Sequence, residues 1–262
     1  MYNRMCICFY RKGVQPLPQF KYGKMLPSAP WILTHPSMAA HDLLEGRTLV
    51  CLIRHGQTDW NLIKRLQGQE NVPLNEAGRA QAENVSAVIE KIRDLGVAFG
   101  AVYTSPLSRA SDTADFIAQS LGLGKAVVLD NLIERDYGSL SGLTLDERRR
   151  LFPGGEKQAG NVESVPAAAS RMLRAVDDML EHCSSLSSGR KTVIGVTHSG
   201  LINAVFSRLT SGEIGTGKTV SGNCSLSCLA VGIGEAIPLA YNLQHENAVQ
   251  YIAKILKSGA DL

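Results

Sequence analysis

A short apolar segment that ends abruptly in charged and small residues constrains this chain more than any other feature. Residues 48–53 are apolar and partly β-branched, which predicts a buried strand. Arg54, His55 and Gly56 follow at once. In an open α/β sheet, ligands bind outside the carboxyl ends of the strands, so Arg54 and His55 are predicted to lie at the mouth of a crevice. Gly56 permits either a positive φ or a close approach of the backbone to a ligand.

The chemistry of this tripeptide suits a phosphate. A neutral imidazole is nucleophilic near pH 7, and a guanidinium can bind two phosphate oxygens at once. A strand end that carries two solvated polar residues is the plain alternative, and the tripeptide alone does not decide between the two.

Strands and helices alternate along the rest of the chain. Helices are predicted over 77–95 (with Asn75 as N-cap), from about 106 to 121, and over 145–152, 164–183 and 201–209. Further strands are predicted over 101–104, 126–129, 192–196, 224–231 and 237–241. This alternation predicts an α/β fold with a mostly parallel central sheet flanked by helices. The last strand is expected at an edge of the sheet, where it can run antiparallel.

Residues 1–45 lack the patterns of a folded core. They hold five of the ten prolines, and residues 1–37 are basic and contain no acidic residue. We therefore expect a flexible basic N-terminal extension over 1–45, followed by a single domain over 46–262.

Composition excludes several classes of function. Beyond residue 37 the basic and acidic residues nearly balance, which excludes a basic nucleic-acid-binding protein. No apolar run approaches the roughly 20 residues of a membrane span. The six cysteines are scattered and no secretory signal precedes them, which favours reduced thiols and a cytoplasmic location. The cysteines also lack partner ligands for a zinc site.

Two more strand ends deliver groups that bind phosphate. Arg109 is predicted in the first turn of a helix that follows the second strand, and His198 ends the fourth. With Arg54 and His55, these residues place two guanidiniums and two imidazoles along one edge of the sheet. Such a pocket can neutralise a phosphoryl group while His55 attacks phosphorus in line with the leaving oxygen.

The leaving alkoxide needs a proton, and Glu134 is the candidate donor. It lies in a loop after the third strand, and Asp136 is the second choice. A carboxyl beside a bound phosphate has its charged form disfavoured, so a raised pKa suited to general acid catalysis is expected.

Four ordered segments carry a resemblance to a known family. They are RHGQTDWN at 54–61, SPLSRA at 105–110, LIERDYGSLSG at 132–142 and VTHSG at 196–200. Together they resemble the histidine phosphatase superfamily, which includes the cofactor-dependent phosphoglycerate mutases. The resemblance covers about residues 48–245 and implies the phosphoglycerate mutase-like three-layer sandwich.

The resemblance also implies roles for individual residues. His55 would be the phosphorylated nucleophile, Glu134 the proton donor and acceptor, and three residues would hold the phosphate: Arg54, Arg109 and His198. Further contacts to phosphate and substrate are implied for Asn61, Gln67, Gly68, Tyr137 and Ser199. The family needs no metal, and no cofactor is expected here.

The length of one segment separates phosphatases from mutases. Mutases carry a long insertion that encloses the site, whereas His198 lies only 64 positions after Glu134 here. A short insertion leaves the phosphohistidine accessible to water, which favours hydrolysis. Ser199-Gly200 also stands where mutases usually have Gly-Asn, and Asn71 replaces a common acid. We expect a phosphatase for a small-molecule phosphate monoester, with a mutase as the alternative; a homodimer is left open.

Residues 212–219 match the nucleotide-binding pattern G-x-x-x-x-G-K-[ST] and offer a distant alternative. That loop requires a strand before it and a helix after it, and the predicted order here is the reverse. A binding module on an inactive enzyme fold is disfavoured, because all five residues of catalytic type are present.

Overall fold

One sheet runs through the molecule. The structure is a computed structural model that describes residues 31–33, 44–186 and 192–257. Its seven strands are β1 (Trp31–Ile32), β2 (Thr48–Arg54), β3 (Phe99–Thr104), β4 (Val127–Val128), β5 (Thr192–Thr197), β6 (Leu226–Gly232) and β7 (Glu235–Leu243). They are arranged in the order β1-β7-β6-β2-β5-β3-β4.

Helices connect most of these strands. They are α1 (Asp59–Leu62), α2 (Glu76–Asp94), α3 (Ser108–Ser120), α4 (Leu145–Leu151), α5 (Glu156–Ala159), α6 (Val165–Leu186), α7 (Ser199–Leu209) and α8 (Glu246–Lys257). Asn75 caps α2 as predicted, because its side chain accepts a hydrogen bond from Gly78 N at 2.9 Å. Within the described ranges, no helix has the length and apolar character needed to cross a membrane.

The predicted α/β class is confirmed, and the sheet is more mixed than predicted. Strands β2, β5, β3 and β4 are mutually parallel. β6 runs antiparallel to β2, β7 antiparallel to β6, and β1 antiparallel to β7. The connection between β6 and β7 explains the direction of β7. Gly232 pairs directly with Glu235, so the two residues between them form a hairpin turn that forces the strands to run in opposite directions.

The core lies in two layers, one on each face of the sheet. Successive side chains of a strand point to opposite faces. Cys51 and Ile53 of β2 pack with α2, α3 and α8, whereas Val50 and Leu52 pack with α6 and α7. This alternation produces the predicted three-layer sandwich and leaves the strand ends free to build a site.

A few residues of the predicted extension belong to the sheet. Trp31 and Ile32 pair with Tyr241 and Ala240, and Leu33 is 2% exposed. Residues 31–33 are therefore not a flexible extension, and β7 is not an edge strand. A strand of two residues is too short to leave a periodic pattern in the sequence. Most of the remaining predicted extension, residues 1–30 and 34–43, lies outside the described residues.

Candidate active site

Three neighbouring strands end at the same place. Arg54 of β2 pairs with Thr197 of β5, and Thr104 of β3 pairs with Val196. Because these strands are parallel, the residues that follow them emerge at one edge of the sheet. The rings of His55 and His198 lie there with centroids 5.1 Å apart. The structure thus brings both predicted histidines to a single buried site.

His55 is held as a neutral ring with one free nitrogen. Its Nδ1 lies 2.6 Å from the carbonyl oxygen of Gly56. A carbonyl only accepts, so Nδ1 carries the proton and Nε2 keeps its lone pair. Burial lowers the pKa of His55 well below its ordinary value, and the charges of Arg109 and Arg54 lower it further. The imidazole is therefore unprotonated on Nε2 near neutral pH, as a nucleophile must be.

Gly56 serves the close approach of two backbones. A Cβ at Gly56 would lie 3.1 Å from the carbonyl carbon of Gly78 in the first turn of α2, closer than Cβ contacts usually come. The N–H of Gly56 also donates to Thr113 Oγ1 on α3 at 3.1 Å. The predicted need for a glycine is met by packing against α2, and the turn after His55 is fixed by two helices.

The two arginines are anchored by backbone carbonyls. Arg109, 1% exposed, donates from Nη1 to Glu70 O at 2.6 Å and from Nη2 to Gly68 O at 2.9 Å. Arg54 donates from Nη1 to Ser221 O at 2.5 Å. Burial lowers the pKa of Arg109 to about 10, and that of Arg54 is also lowered by burial. Arg109 at least stays mostly cationic at pH 7, and both guanidiniums are held in fixed orientations.

His198 is the N-cap residue of α7, and its side chain contacts the residue that follows β3. Its Nε2 lies 2.8 Å from Ser105 Oγ. Burial and then the charge of Arg109 lower its pKa well below the ordinary value of a histidine. This ring is therefore neutral as well.

Three buried polar atoms of the predicted site residues lack a hydrogen-bond partner among the described residues. They are Arg54 Nε, Arg109 Nε and His198 Nδ1. Unsatisfied buried polar groups are rare in folded proteins and call for an explanation. A tetrahedral oxyanion offers several acceptors at once and is attracted by two guanidiniums. The arrangement therefore fits an anion-binding site beside His55 Nε2.

Glu134 lies on the N-terminus of α7. Its Oε1 accepts from Arg135 N at 2.8 Å and from Leu201 N at 3.0 Å, and its Oε2 accepts from Gly200 N at 3.0 Å. Burial raises the pKa of this carboxyl against the opposing effects of those backbone donors and of both arginines. A buried carboxyl with a raised pKa beside an anion site can deliver a proton.

The second choice for the proton donor points elsewhere. Asp136 is exposed, and its Oδ1 accepts from Gly138 N at 2.8 Å. Gly200, by contrast, leaves space for Glu134: a Cβ there would lie 2.6 Å from Glu134 Oε1. The geometry favours Glu134.

Two of the predicted substrate residues share one neighbour. Asn61 Oδ1 accepts from Thr58 N at 3.1 Å, and Gln67 Oε1 accepts from Thr58 Oγ1 at 3.1 Å. Gly68 has a φ of +53°, and its carbonyl is one of the two that hold Arg109. These residues lie in the segment between the nucleophile and α2.

The other two predicted contacts lie beside α7. The guanidinium of Arg135 lies 4.9 Å from the ring centroid of Tyr137, and burial raises the pKa of that tyrosine. Ser199 Oγ accepts from Ser221 Oγ at 2.9 Å. The hydroxyl of Tyr137 and the carboxylate of Glu134 both lie against Gly200 of α7. Ser199 bonds to Ser221, whose carbonyl oxygen accepts from Arg54.

Sequence reasoning missed several supporting residues. Ser105 orients His198, and the turn at 221–224 holds Arg54. Arg171 donates to the carbonyl oxygens of Asn131 and Ile133 in the loop that carries Glu134. Only Ser105 left a signal, because it follows a predicted strand directly. No group of metal-ligating side chains occurs in the part of the chain that the structure describes.

Comparison with known families decides the assignment. The family model described as "Histidine phosphatase superfamily (branch 1)" matches residues 50–244. The chain belongs to the histidine phosphatase superfamily. Its members among the curated relatives include phosphatases and phosphoglycerate mutases, and the predicted family and reaction class, a phosphoric monoester hydrolase, are confirmed.

This histidine phosphatase is similar in sequence to phosphatases and to a phosphoglycerate mutase. It is 33% identical over 166 residues to the uncharacterized phosphatase PhoE of Bacillus subtilis, covering 63% of this chain and 79% of the relative. It is 33% identical over 169 residues to a metal-independent phosphoserine phosphatase of Arabidopsis thaliana, covering 62% and 69%. It is 44% identical over 115 residues to a 2,3-bisphosphoglycerate-dependent phosphoglycerate mutase of Bartonella tribocorum, covering 43% and 53%.

A solved structure agrees with the fold of this histidine phosphatase. A mycobacterial glucosyl-3-phosphoglycerate phosphatase in complex with VO3 superposes with a TM-score of 0.64 at 25% identity. The match covers 75% of this chain and 100% of that one.

Proposed function

We propose that this protein hydrolyses a small phosphate monoester through a phosphohistidine on His55. One observation carries the proposal. His55 Nε2 keeps a free lone pair, because Nδ1 is bound to Gly56 O, and it lies in a site where buried donors lack partners. A nucleophile beside two buried guanidiniums fits phosphoryl transfer.

The first step forms the phosphoenzyme. Arg54, Arg109 and His198 bind the phosphoryl oxygens and neutralise their charge. Nε2 of His55 then attacks phosphorus in line, the bond from phosphorus to the ester oxygen breaks, and Glu134 protonates the departing oxygen.

The second step reverses the role of Glu134. The carboxylate formed in the first step takes a proton from water as the water attacks phosphorus. The bond from phosphorus to Nε2 breaks, inorganic phosphate leaves, and Glu134 is protonated again. No residue outside the site is needed to balance the protons.

Phosphatase rather than mutase activity is supported by the short connection between Glu134 and His198. It holds the small helices α4 and α5, followed by α6, which packs in the core. The phosphatase relatives are also matched over 79% and 69% of their lengths, and the mutase relative over 53%. Mutase activity is the second candidate, because this relative has the highest identity of the three.

Phosphorylated small acids are the proposed substrates to test first. The names of the relatives, a phosphoserine phosphatase and a glucosyl-3-phosphoglycerate phosphatase, support this choice. A cytoplasmic location is proposed from the reduced thiols of Cys51, Cys224 and Cys228. A homodimer stays a prediction.

Rapid-quench trapping tests the proposed function. Phosphoserine or an aryl phosphate should leave an adduct on His55 that is labile in acid and stable in base, as a phosphoramidate is. His55→Ala should trap nothing, whereas His182→Ala, which removes an exposed histidine on α6, should trap normally. An adduct on another residue would overturn the assignment. Transfer of the phosphate to a second small molecule, with little release to water, would favour the mutase.

A further inference from the structure

One turn holds the nucleophile and its neighbour. This turn, residues 221–224, connects the loop after α7 to β6. Ser221 O accepts from Arg54 Nη1 at 2.5 Å, and Cys224 N donates to Arg54 O at 2.9 Å. Between them, Asn223 Nδ2 donates to His55 O at 3.0 Å. Three of the four turn residues thus contact two successive residues at the end of β2.

The side-chain amide of Asn223 makes a second bond. Nδ2 also lies 3.3 Å from Oδ1 of Asn61. The identities of these atoms are fixed by backbone groups: the carbonyl of His55 can only accept, and the N–H of Thr58, which faces Asn61 Oδ1 at 3.1 Å, can only donate. Asn223 must therefore present its NH₂ group to two acceptors, one on the nucleophile and one on α1.

The turn is anchored independently of the catalytic residues. Gly222 N donates to Asn242 Oδ1 at 2.7 Å, and Ser225 N donates to Gly222 O at 3.2 Å. Ser221 Oγ donates to Ser199 Oγ at 2.9 Å. Because strand β7 and helix α7 hold the turn, Asn223 is a fixed point against which His55 is placed.

We propose that Asn223 is a positioning residue for the nucleophile, an inference that rests on the proposed function. The carbonyl oxygen of His55 belongs to the peptide that joins His55 to Gly56, and Gly56 O orients the imidazole through Nδ1. A rotation of that peptide would move Gly56, and the imidazole bound to Gly56 O would turn with it. The donor from Asn223 prevents the rotation and keeps Nε2 aimed at phosphorus, where misplacement by about 1 Å can cost on the order of 100-fold in rate.

Asn223→Asp tests this role with almost no change in shape. It replaces the two donated hydrogens with a carboxylate oxygen that faces His55 O and Asn61 Oδ1, which are both acceptors. The rate constant for phosphoenzyme formation should fall on the order of 100-fold, as for a misplaced nucleophile. The fall should be the same for aryl and alkyl esters, because it concerns attack and not protonation of the leaving group. KM should change much less than kcat.

Two further variants separate positioning from charge and from folding. Asn247→Asp makes the same substitution at an exposed position of α8 and should react like the wild type. Asn223→Ala removes the donors without adding charge and should also slow phosphoenzyme formation equally for both ester classes. Rates are measured well below the melting temperature of each variant, and circular dichroism checks that each is folded.

The outcomes distinguish this inference from the proposed function. If the wild type forms phosphohistidine on His55 while both Asn223 variants form it at the wild-type rate, Asn223 does not position the nucleophile. A slowdown confined to poor leaving groups would also overturn the proposal, because it would place the effect on Glu134. If the wild type forms no adduct on His55, the proposed function itself fails.

Discussion

Replacing Glu134 by glutamine should separate its two proton transfers. Three backbone N–H groups bind the carboxylate, two at Oε1 and one at Oε2. Glutamine can still accept from Arg135 and Leu201 through its oxygen, but its NH₂ group would face the N–H of Gly200. An unsatisfied buried donor costs about 1–3 kcal/mol. Loss of the buried charge offsets part of this, since burial raises the pKa of Glu134. The free energy of unfolding should therefore change by less than about 2 kcal/mol.

Catalysis should change far more than stability. General acid catalysis contributes about 10²–10⁴-fold, so Glu134→Gln should slow phosphoenzyme formation from alkyl esters by that factor. An activated aryl phosphate should lose much less in this step, because its leaving group departs without a proton. The second step still needs Glu134 as a base, so the aryl ester should give a burst of alcohol followed by slow turnover.

A stopped-flow assay measures both steps. The slope of log(kcat/KM) against leaving-group pKa should be steeper for Glu134→Gln than for the wild type, and the burst should approach one equivalent per site. Equal losses for aryl and alkyl esters, or the absence of a burst with the aryl ester, would refute the assignment of both proton transfers to this residue.

Three other predictions concern pH, residues 212–219 with their nucleotide-binding pattern, and strand β1. The pKa values of His55 and His198 are lowered, so the nucleophile stays neutral below pH 6.5, and the acid limb of the profile of kcat/KM against pH should lie well below 6.5. Because the two pKa values are lower in the folded protein, the unfolded chain binds more protons than the folded one at acidic pH. The free energy of unfolding, measured by urea denaturation, should therefore fall as pH drops below about 6.5. Lys218→Ala, at an exposed position, should leave ester hydrolysis unchanged, and calorimetry should detect no magnesium-dependent ATP binding; tight binding lost in this variant would contradict the argument. Leu33→Ala should lower stability by about 2–5 kcal/mol as a buried truncation, whereas the half-exposed Ile32→Ala should cost much less; equal, small losses would show that β1 is dispensable.

The candidate site could be predicted because its residues follow strands that leave clear patterns. Apolar runs located β2, β3 and β5, and the polar residues after them had to meet at one edge of a parallel sheet. Glu134 was harder, since β4 has only two residues, yet the loop after it was placed correctly. The ordered motifs then singled out the residues that the structure brings together.

The supporting contacts could not be predicted, because they depend on long-range pairing. Asn223 lies 168 residues from His55 in sequence, and nothing local indicates that a turn before β6 contacts the end of β2. The antiparallel place of β6 beside β2 creates that contact. The strand β1 was missed for a related reason, since its two residues pair with a strand near the other end of the chain.

The pairing of β1 with β7 has a consequence for self-association. β7 has nine residues, and β1 pairs with it at Ala240 and Tyr241, while Leu33 N donates to Leu239 O. Without residues 31–33, these backbone groups of β7 would be unpaired. An unpaired strand edge is a template for strand addition by another chain. A shortened protein that lacks residues 31–33 would present an unprotected sheet edge in solution. Intermolecular sheet growth, seen as turbidity that rises with concentration, is then a hazard for any preparation that starts beyond Leu33.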